Sequence, residues 1–253
     1  MSHADTYDAI FVVGGDGTVM EVAAALATRE SNTPVGVLAG GTGNLVARAF
    51  GIPLSIPRAV EALLAGGEKR IDLGRLGGGE GRGFSVAAGV GIDATMIAET
   101  PTWLKRRLGV LAYAIVGSRA ALRAVSGRDF FEARITVDGV VYERPAAMVM
   151  IANVGAVLGE RLMLGPDIRP DDGVLNACVF SPRTLRDAIR IVTRMVTRNF
   201  APDPCALYVS GRHIRVETTP PRVWQADGDV LGTTPFDATI EPLAVRLLVP
   251  HRG

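Results

Sequence analysis

The sequence predicts a parallel α/β fold followed by a larger β-rich fold. Two apolar runs, residues 10–13 and 35–38, each lead through glycines into a helical pattern, and this alternation is typical of a parallel sheet. After three glycines at 77–79, short strand-like runs predominate, as they do in a β-sandwich. We therefore expect an α/β domain over residues 1–70. A β-sandwich domain with two helices should cover residues 71–253, and its last residues should return to the first domain.

Helix ends can be located in the first domain. Residues 20–27 and 44–50 continue helical patterns after the two glycine turns. A third helix over residues 57–64 stops at Gly66 and Gly67, since glycine adopts the left-handed conformation that ends many helices. This order places both glycine turns between a strand and the helix that follows it.

Turn chemistry marks the strands of the second domain. Asp138-Gly139 separates two β-branched runs, and this dipeptide is the strongest short-range signal for a two-residue hairpin. The other expected strands are short apolar runs between turn residues: 84–88, 147–152, 175–180, 214–217 and 244–249. Together these strands favour a sandwich.

Two helices should interrupt these strands. The first covers residues 103–125, where large apolar residues recur at helical spacing. The second should take Ser181 as its N-cap and Pro182 as its first residue. Its apolar residues share one face, expected against the core: Leu185, Ile189, Val192, Met195 and Val196. Its arginines share the opposite, solvated face: Arg183, Arg186, Arg190 and Arg194.

Composition excludes several classes of function. The formal net charge is +1 and no block of basic residues occurs, so we expect no nucleic-acid partner. The two cysteines, Cys178 and Cys205, and the three scattered histidines do not support a zinc site or a disulfide framework. The most apolar stretch, residues 145–158, is too short to span a bilayer, and the start does not read as a signal peptide. We expect a cytoplasmic protein.

Two glycine-rich loops carry the strongest chemical signal. Residues 14–18 are Gly-Gly-Asp-Gly-Thr, and residues 40–44 are Gly-Gly-Thr-Gly-Asn. Each loop follows a strand and opens a helix, where backbone N–H groups and the helix dipole attract phosphate oxygens. Loops after adjacent parallel strands should lie side by side at the edge of the sheet that binds ligands. The alternative is a pair of tight turns without a ligand.

Asp16 is the unusual member of the first loop. A carboxylate in a phosphate-binding turn repels the ligand, unless a magnesium ion lies between them or the carboxylate accepts a proton from an attacking hydroxyl. The loop also lacks the lysine of an ordinary P-loop. These residues favour phosphoryl transfer over nucleotide storage.

Further motifs follow the loops: Gly89-Val90-Gly91-Ile92-Asp93, Asp171-Asp172-Gly173 and Asp227-Gly228-Asp229. With the loops, they resemble the bacterial diacylglycerol kinase and sphingosine kinase family of lipid kinases over nearly the whole chain. The resemblance implies transfer of the ATP γ-phosphate to a lipid hydroxyl, with diacylglycerol as the first guess and a sphingoid base as the second. It implies a lipid partner at a membrane surface, and a homo-oligomer stays open. The alternative of another class is an inactive nucleotide- or lipid-binding module.

The resemblance also implies site residues. The nucleotide would contact Gly14, Gly15, Asp16, Gly17, Thr18, Glu21, Gly41, Thr42 and Asn44. The candidate catalytic carboxylates are Asp16, Asp227 and Asp229, the last standing where bacterial relatives usually have glutamate. Either Asp16 is the base and Asp229 assists it, or Asp229 acts itself despite its shorter reach. The Asp227 to Asp229 segment could equally be an ordinary hairpin turn.

The resemblance places a structural magnesium ion at Asp172 and at the backbone carbonyls of Arg169 and Val174, although this segment could also be a plain turn.

Relatives have strand and helix units before the first glycine loop, whereas nine residues precede Ile10 here. The nucleotide-binding α/β domain is therefore expected to be N-terminally truncated. A mis-set start, completion by a partner subunit and loss of activity are the competing explanations.

The arginines of the second helix suggest how a lipid kinase would reach its substrate. Basic residues near an anionic membrane contribute about 1 kcal/mol each. We hypothesise that Arg183, Arg186, Arg190 and Arg194 help to dock the protein peripherally on anionic membranes, although a plain solvated face is the simpler interpretation.

Overall fold

A computed structural model describes residues 3–41, 43–77, 81–84, 86–91, 130–157, 162–227 and 229–251. The expected helix over residues 103–125 lies outside this part of the chain, as do Thr42, Asp93 and Gly228.

The described strands form two large sheets and a two-stranded ribbon. The eight-stranded sheet contains β1 (Ile10–Gly14), β2 (Val35–Ala39), β3 (Gly67–Leu76), β4 (Gly83–Phe84), β6 (Phe131–Val137), β7 (Val140–Ala146), β13 (His213–Thr219) and β16 (Phe236–Val249). The six-stranded sheet contains β5 (Ala87–Gly91), β8 (Met148–Ala152), β11 (Leu175–Phe180), β12 (Ala206–Gly211), β14 (Val223–Ala226) and β15 (Asp229–Thr233). The ribbon pairs β9 (Ala156–Val157) with β10 (Leu162–Met163).

Helices flank the parallel strands, as the alternating pattern predicts. The flanking helices are α1 (Asp16–Thr28), α2 (Leu45–Ala49) and α3 (Ile56–Leu64). A further α-helix, α4 (Leu185–Thr197), lies in the sandwich region. Strands β1 and β2 pair in parallel with Ile10 opposite Val35 and Gly14 opposite Ala39. The predicted fold class, a parallel α/β region joined to a β-sandwich, is confirmed.

Strand β16 joins the two regions within one sheet. It pairs in parallel with β2 through Leu247 and Val35, and in antiparallel fashion with β3 and β13. The predicted domain boundary at residue 70 falls inside β3. That boundary stays a prediction.

The predicted hairpin at Asp138-Gly139 is confirmed. Both residues are left-handed, with φ of 47° and 87°, and β6 and β7 pair directly across them. The Asp138 carboxylate accepts hydrogen bonds from the backbone N–H groups of Arg212 and His213. These bonds lower the pKa of Asp138 and join the hairpin to the start of β13.

The described residues form two apolar core clusters. One fills the space between the two large sheets, and among its fully buried members are Phe84, Ile135, Ile151, Leu175 and Ile214. The other packs α1, α2 and α3 against β2 and continues to the six-stranded sheet and α4 through side chains that include Val19, Met20, Val46, Leu247, Cys178 and Ile191. The glycine loops therefore lie on a continuously packed framework.

The start of α4 corrects one prediction. The N-cap is Thr184, whose hydroxyl accepts a hydrogen bond from the Asp187 N–H while the Asp187 carboxylate accepts from the Thr184 N–H. This reciprocal capping box outcompetes the predicted cap. Ser181 is buried instead, and its hydroxyl donates to the carbonyl of Pro145.

The orientation of α4 corrects another. Four of its apolar side chains face outward: Leu185, Ile189, Val192 and Val196. Ile191 and Met195 are the buried residues. Arg190 and Arg194 turn toward Asp203, at 2.8 and 3.1 Å, and the Asp203 side chain is only 2% exposed. The buried carboxylate draws the arginines inward and leaves the apolar stripe outside.

Asp72 in β3 joins three parts of the sandwich. It is 1% exposed, and its carboxylate accepts hydrogen bonds from the N–H groups of Gly173 and Leu243 at 2.7 and 2.8 Å. Its N–H donates to Pro170, and its carbonyl accepts from the Asn153 amide. One buried side chain therefore positions the 170–173 turn against β16 at Leu243, where the pairing of β16 with β3 shifts register.

Replacing Asp72 with asparagine should destabilise the fold, because one amide nitrogen would face a backbone N–H in a buried site. We expect the free energy of unfolding to fall by about 2 kcal/mol and the melting temperature to fall by about 4–8 °C. Glu132→Gln, on the exposed face of β6, is the matched control and should melt as the wild type does. Equal melting temperatures for the two variants would contradict this role of Asp72.

Candidate active site

The two glycine loops touch backbone to backbone. The Gly40 N–H donates to the Gly14 carbonyl at 2.9 Å, which confirms that the loops lie side by side. A methyl group built on Gly41 would lie 2.5 Å from the Gly15 Cα, closer than any side chain tolerates. Glycine at position 41 is therefore needed for the approach of the two loops.

Asn44 shapes the second loop from within. Its side-chain oxygen accepts from the Gly41 N–H at 2.9 Å, and its side-chain nitrogen donates to the Gly41 carbonyl at 2.8 Å. It is the N-cap of α2 in a left-handed conformation, with φ of 49°. The Arg48 guanidinium donates to the Gly43 carbonyl at 3.0 Å. Asn44 thus holds the loop in shape, with its amide already hydrogen-bonded.

Asp16 links the first loop to the second. It begins α1, is 8% exposed, and its Oδ1 accepts a hydrogen bond from the Val46 N–H of α2 at 2.9 Å. Its Oδ2 lies 3.1 Å from the position of a methyl group built on Gly43. The carboxylate is therefore directed at the second loop.

The N-terminus of α1 is open to a ligand. Gly15 is the N-cap residue, and glycine has no side chain that could cap the helix. Thr18 and Glu21 are exposed along the same helix, and Gly17 is partly exposed. The first-turn N–H groups of a helix without a side-chain cap are available to anionic oxygens.

Asp229 approaches this helix end from the sandwich side. Its Oδ2 lies 3.5 Å from the position of a methyl group built on Gly17, and the carboxylate is largely exposed. The Arg82 Nη2 lies 2.5 Å from the same oxygen. The Asp229 carboxylate and the Arg82 guanidinium therefore both lie beside the first turn of α1.

Arg82 is a site residue that sequence reasoning missed. It follows a glycine-rich run and belongs to no motif, so the pairing of its side chain with Asp229 had no signal in the sequence. A glycine-rich run ending in arginine beside a strand could at most have suggested an anion contact.

Asp227 is placed differently from Asp229. Its Oδ1 accepts hydrogen bonds from the N–H groups of Val86 and Ala87 at 3.0 and 3.2 Å, and its own N–H donates to the Ala87 carbonyl. Its backbone is left-handed, with φ of 46°. These contacts fix the turn between β14 and β15, so Asp227 positions Asp229.

The segment predicted to bind magnesium contains two carboxylates, and each already has a partner. Asp172 Oδ1 accepts from the Val174 N–H at 3.2 Å, and Asp171 pairs with Lys69 at 3.1 Å. Within the described ranges, no three His, Cys, Asp or Glu side chains are grouped to hold a metal. Asp172 with the carbonyls of Arg169 and Val174 would be an all-oxygen set, the donor type that magnesium prefers. The assignment stays a prediction.

Two family models match the chain in succession. The model described as diacylglycerol kinase catalytic domain matches residues 1–76, which include both glycine loops. The model described as YegS C-terminal NAD kinase beta sandwich-like domain matches residues 84–249, which include Asp229. Arg82 lies between the two matched regions.

Curated proteins are similar to the chain over most of its length. Uncharacterized protein sll0036 of Synechocystis sp. is 31% identical over 245 residues, or 95% of this chain and 54% of that protein. The diacylglycerol kinase of Bacillus subtilis is 28% identical over 232 residues, or 90% of this chain and 73% of that protein. The chain thus spans about half the length of the cyanobacterial relative.

Solved structures from Bacillus anthracis str. Sterne share the fold. One has a TM-score of 0.77 at 25% identity and covers 98% of this chain and 78% of its own. Another, of a diacylglycerol kinase, has a TM-score of 0.70 at 23% identity, with coverage of 98% and 81%. Among the helices described in this chain, none has both the length and the apolar character needed to cross a bilayer.

Replacing Gly41 with alanine should force the two loops apart, because the new methyl group meets backbone that cannot rotate away. We expect the free energy of unfolding, measured with a denaturant, to fall by about 1–3 kcal/mol. Gly67→Ala is the control, since a methyl group there would have no atom of the described residues within 4 Å. If the two variants unfold at the same denaturant concentration, the loops do not depend on this contact.

Proposed function

The chain belongs to the bacterial diacylglycerol kinase and YegS-like lipid kinase family, and from this we propose that it transfers the γ-phosphoryl group of ATP to a lipid hydroxyl. Diacylglycerol is the proposed acceptor, following the name of the Bacillus subtilis relative. One observation carries the proposal: both glycine loops, Asp229 and Arg82 converge on the N-terminus of α1.

The ATP phosphates are proposed to bind at the first turn of α1. The helix dipole and the N–H groups of this turn attract anionic oxygens, and Gly15 and Gly17 leave room for close approach. Thr18 adds a hydroxyl on the exposed side. A magnesium ion bound with the nucleotide would neutralise phosphate charge. The residues of this chain supply orientation and the proton acceptor.

We assign different roles to the two carboxylates. Asp229 is exposed and faces the phosphate-binding turn, so it is the proposed acceptor of the proton from the lipid hydroxyl. Asp16 is buried, and one of its oxygens is already bonded to the Val46 N–H. Its role is to hold the two loops together.

Arg82 is proposed to act on both the Asp229 carboxylate and the transferred phosphoryl group. Through its ion pair it orients the Asp229 carboxylate. The Nη2 atom of this ion pair lies 3.8 Å from the position of a methyl group built on Gly17, where the N–H groups that do not bind Asp229 would donate to the oxygens of the transferred phosphoryl group. Such donors stabilise charge that develops in the transition state.

Transfer should be tested with γ-labelled ATP and a panel of lipids in mixed micelles. We expect labelled product from diacylglycerol, with less from sphingosine and none without lipid. Arg82→Gln should lower the rate by about 100-fold, the loss typical of removing one stabilising donor.

The control is Arg134→Gln, which removes an exposed arginine of the sandwich that pairs with Glu143 and should leave the rate unchanged. If no lipid is labelled while ATP still raises the melting temperature, the protein is a nucleotide-binding module and the kinase proposal fails.

A further inference from the structure

Helix α4 presents an apolar face to solvent. Leu185, Ile189, Val192 and Val196 are 54%, 58%, 50% and 55% exposed. Their spacing of four, three and four residues puts them on one side of the helix. We call these four residues the outer face of α4. A helix on the surface of a globular protein ordinarily turns such a stripe toward the core.

The outer face cannot turn toward the core, because contacts on the opposite side of α4 fix the orientation of the helix. Ile191 and Met195 are buried in the core cluster that also contains Val46 of α2. Arg190 and Arg194 bind the buried carboxylate of Asp203. The hydrogen bond from Arg190 is the main cause that lowers the pKa of Asp203, so this anchor is ionised at neutral pH.

Basic residues border the outer face at its N-terminal end. Arg183 and Arg186 are exposed, and neither guanidinium forms an ion pair with any residue in the described ranges. Of the four arginines expected at the membrane, Arg183 and Arg186 have exposed side chains, whereas Arg190 and Arg194 bind Asp203. An exposed apolar stripe next to unpaired arginines is typical of helices that lie in the interface of an anionic membrane.

We propose that α4 docks the protein on an anionic phospholipid bilayer, with the outer face inserted among the acyl chains and with Arg183 and Arg186 at the head groups. The inference rests on the proposed function for its choice of occupant, since a lipid acceptor lies in a bilayer.

Vesicle sedimentation tests this directly. The outer-face variant carries Leu185→Gln, Ile189→Gln, Val192→Gln and Val196→Gln, and glutamine keeps helix propensity high. The control carries four equally conservative changes at exposed apolar residues elsewhere: Leu64→Gln, Val140→Gln, Val141→Gln and Val223→Gln. We expect the wild type and the control to bind phosphatidylglycerol vesicles, and the outer-face variant to bind at least tenfold more weakly with an unchanged melting temperature.

A second variant separates charge from insertion. Arg183→Glu with Arg186→Glu should weaken binding to phosphatidylglycerol vesicles and leave the weaker binding to phosphatidylcholine vesicles unchanged. Undiminished binding of the outer-face variant would overturn the proposal. It would also be overturned if the wild type sediments as a dimer that the outer-face changes dissociate while vesicle binding persists, since the face would then join two copies of the chain.

Kinase activity on a short-chain diacylglycerol dissolved as monomers distinguishes this inference from the proposed function. Docking predicts that the outer-face variant keeps full activity on the dissolved lipid and loses it on vesicles. If no lipid is phosphorylated at all but vesicle binding depends on α4 as described, the kinase proposal fails and the docking surface stands.

Discussion

The hydrogen bond from the Val46 N–H to the Asp16 carboxylate is the interaction on which the candidate site depends. It is buried and charge-assisted, the kind of bond that contributes about 1.5–3 kcal/mol. It joins the start of α1 to the start of α2 at the point where Gly41 and Gly15 touch. Parallel pairing of β1 and β2 brings the two loops to the same edge of the sheet, and this bond keeps them in contact.

The other half of the site comes from the sandwich, and a continuous sheet aligns the two halves. Strand β16 pairs with β3 along one edge, and along its other edge it pairs with β13 at residues 236–239 and with β2 at Leu247. The parallel strands and the sandwich therefore cannot move independently at that edge. Asp227 fixes the turn that carries Asp229 by bonding to the chain that enters β5. The carboxylate that faces α1 is therefore held by backbone contacts on its own side.

Local patterns predicted the elements whose causes are local. The two parallel strands, their helices and the Asp138-Gly139 hairpin follow from periodicity, glycine turns and turn chemistry within a few residues of each element. The orientation of α4 could not be predicted in this way, because it is set by Asp203, which lies beyond the end of the helix and is buried by the fold. Its start depends on a capping box at Thr184 that competes with a plausible signal at Ser181. Arg82 had no motif at all, since its partner is 147 residues away.

The division of labour between Asp16 and Asp229 is tested most directly by single-turnover phosphoryl transfer in Asp16→Asn and Asp229→Asn, with ATP affinity measured separately. Asp229→Asn should slow transfer by about 100-fold or more, as loss of a general base does, with little change in ATP affinity. Asp16→Asn should lower the melting temperature and ATP affinity, and should slow transfer less when ATP is saturating. The opposite outcome, near-normal transfer by Asp229→Asn and none by a fully stable Asp16→Asn, would make Asp16 the base and contradict the roles assigned to both residues.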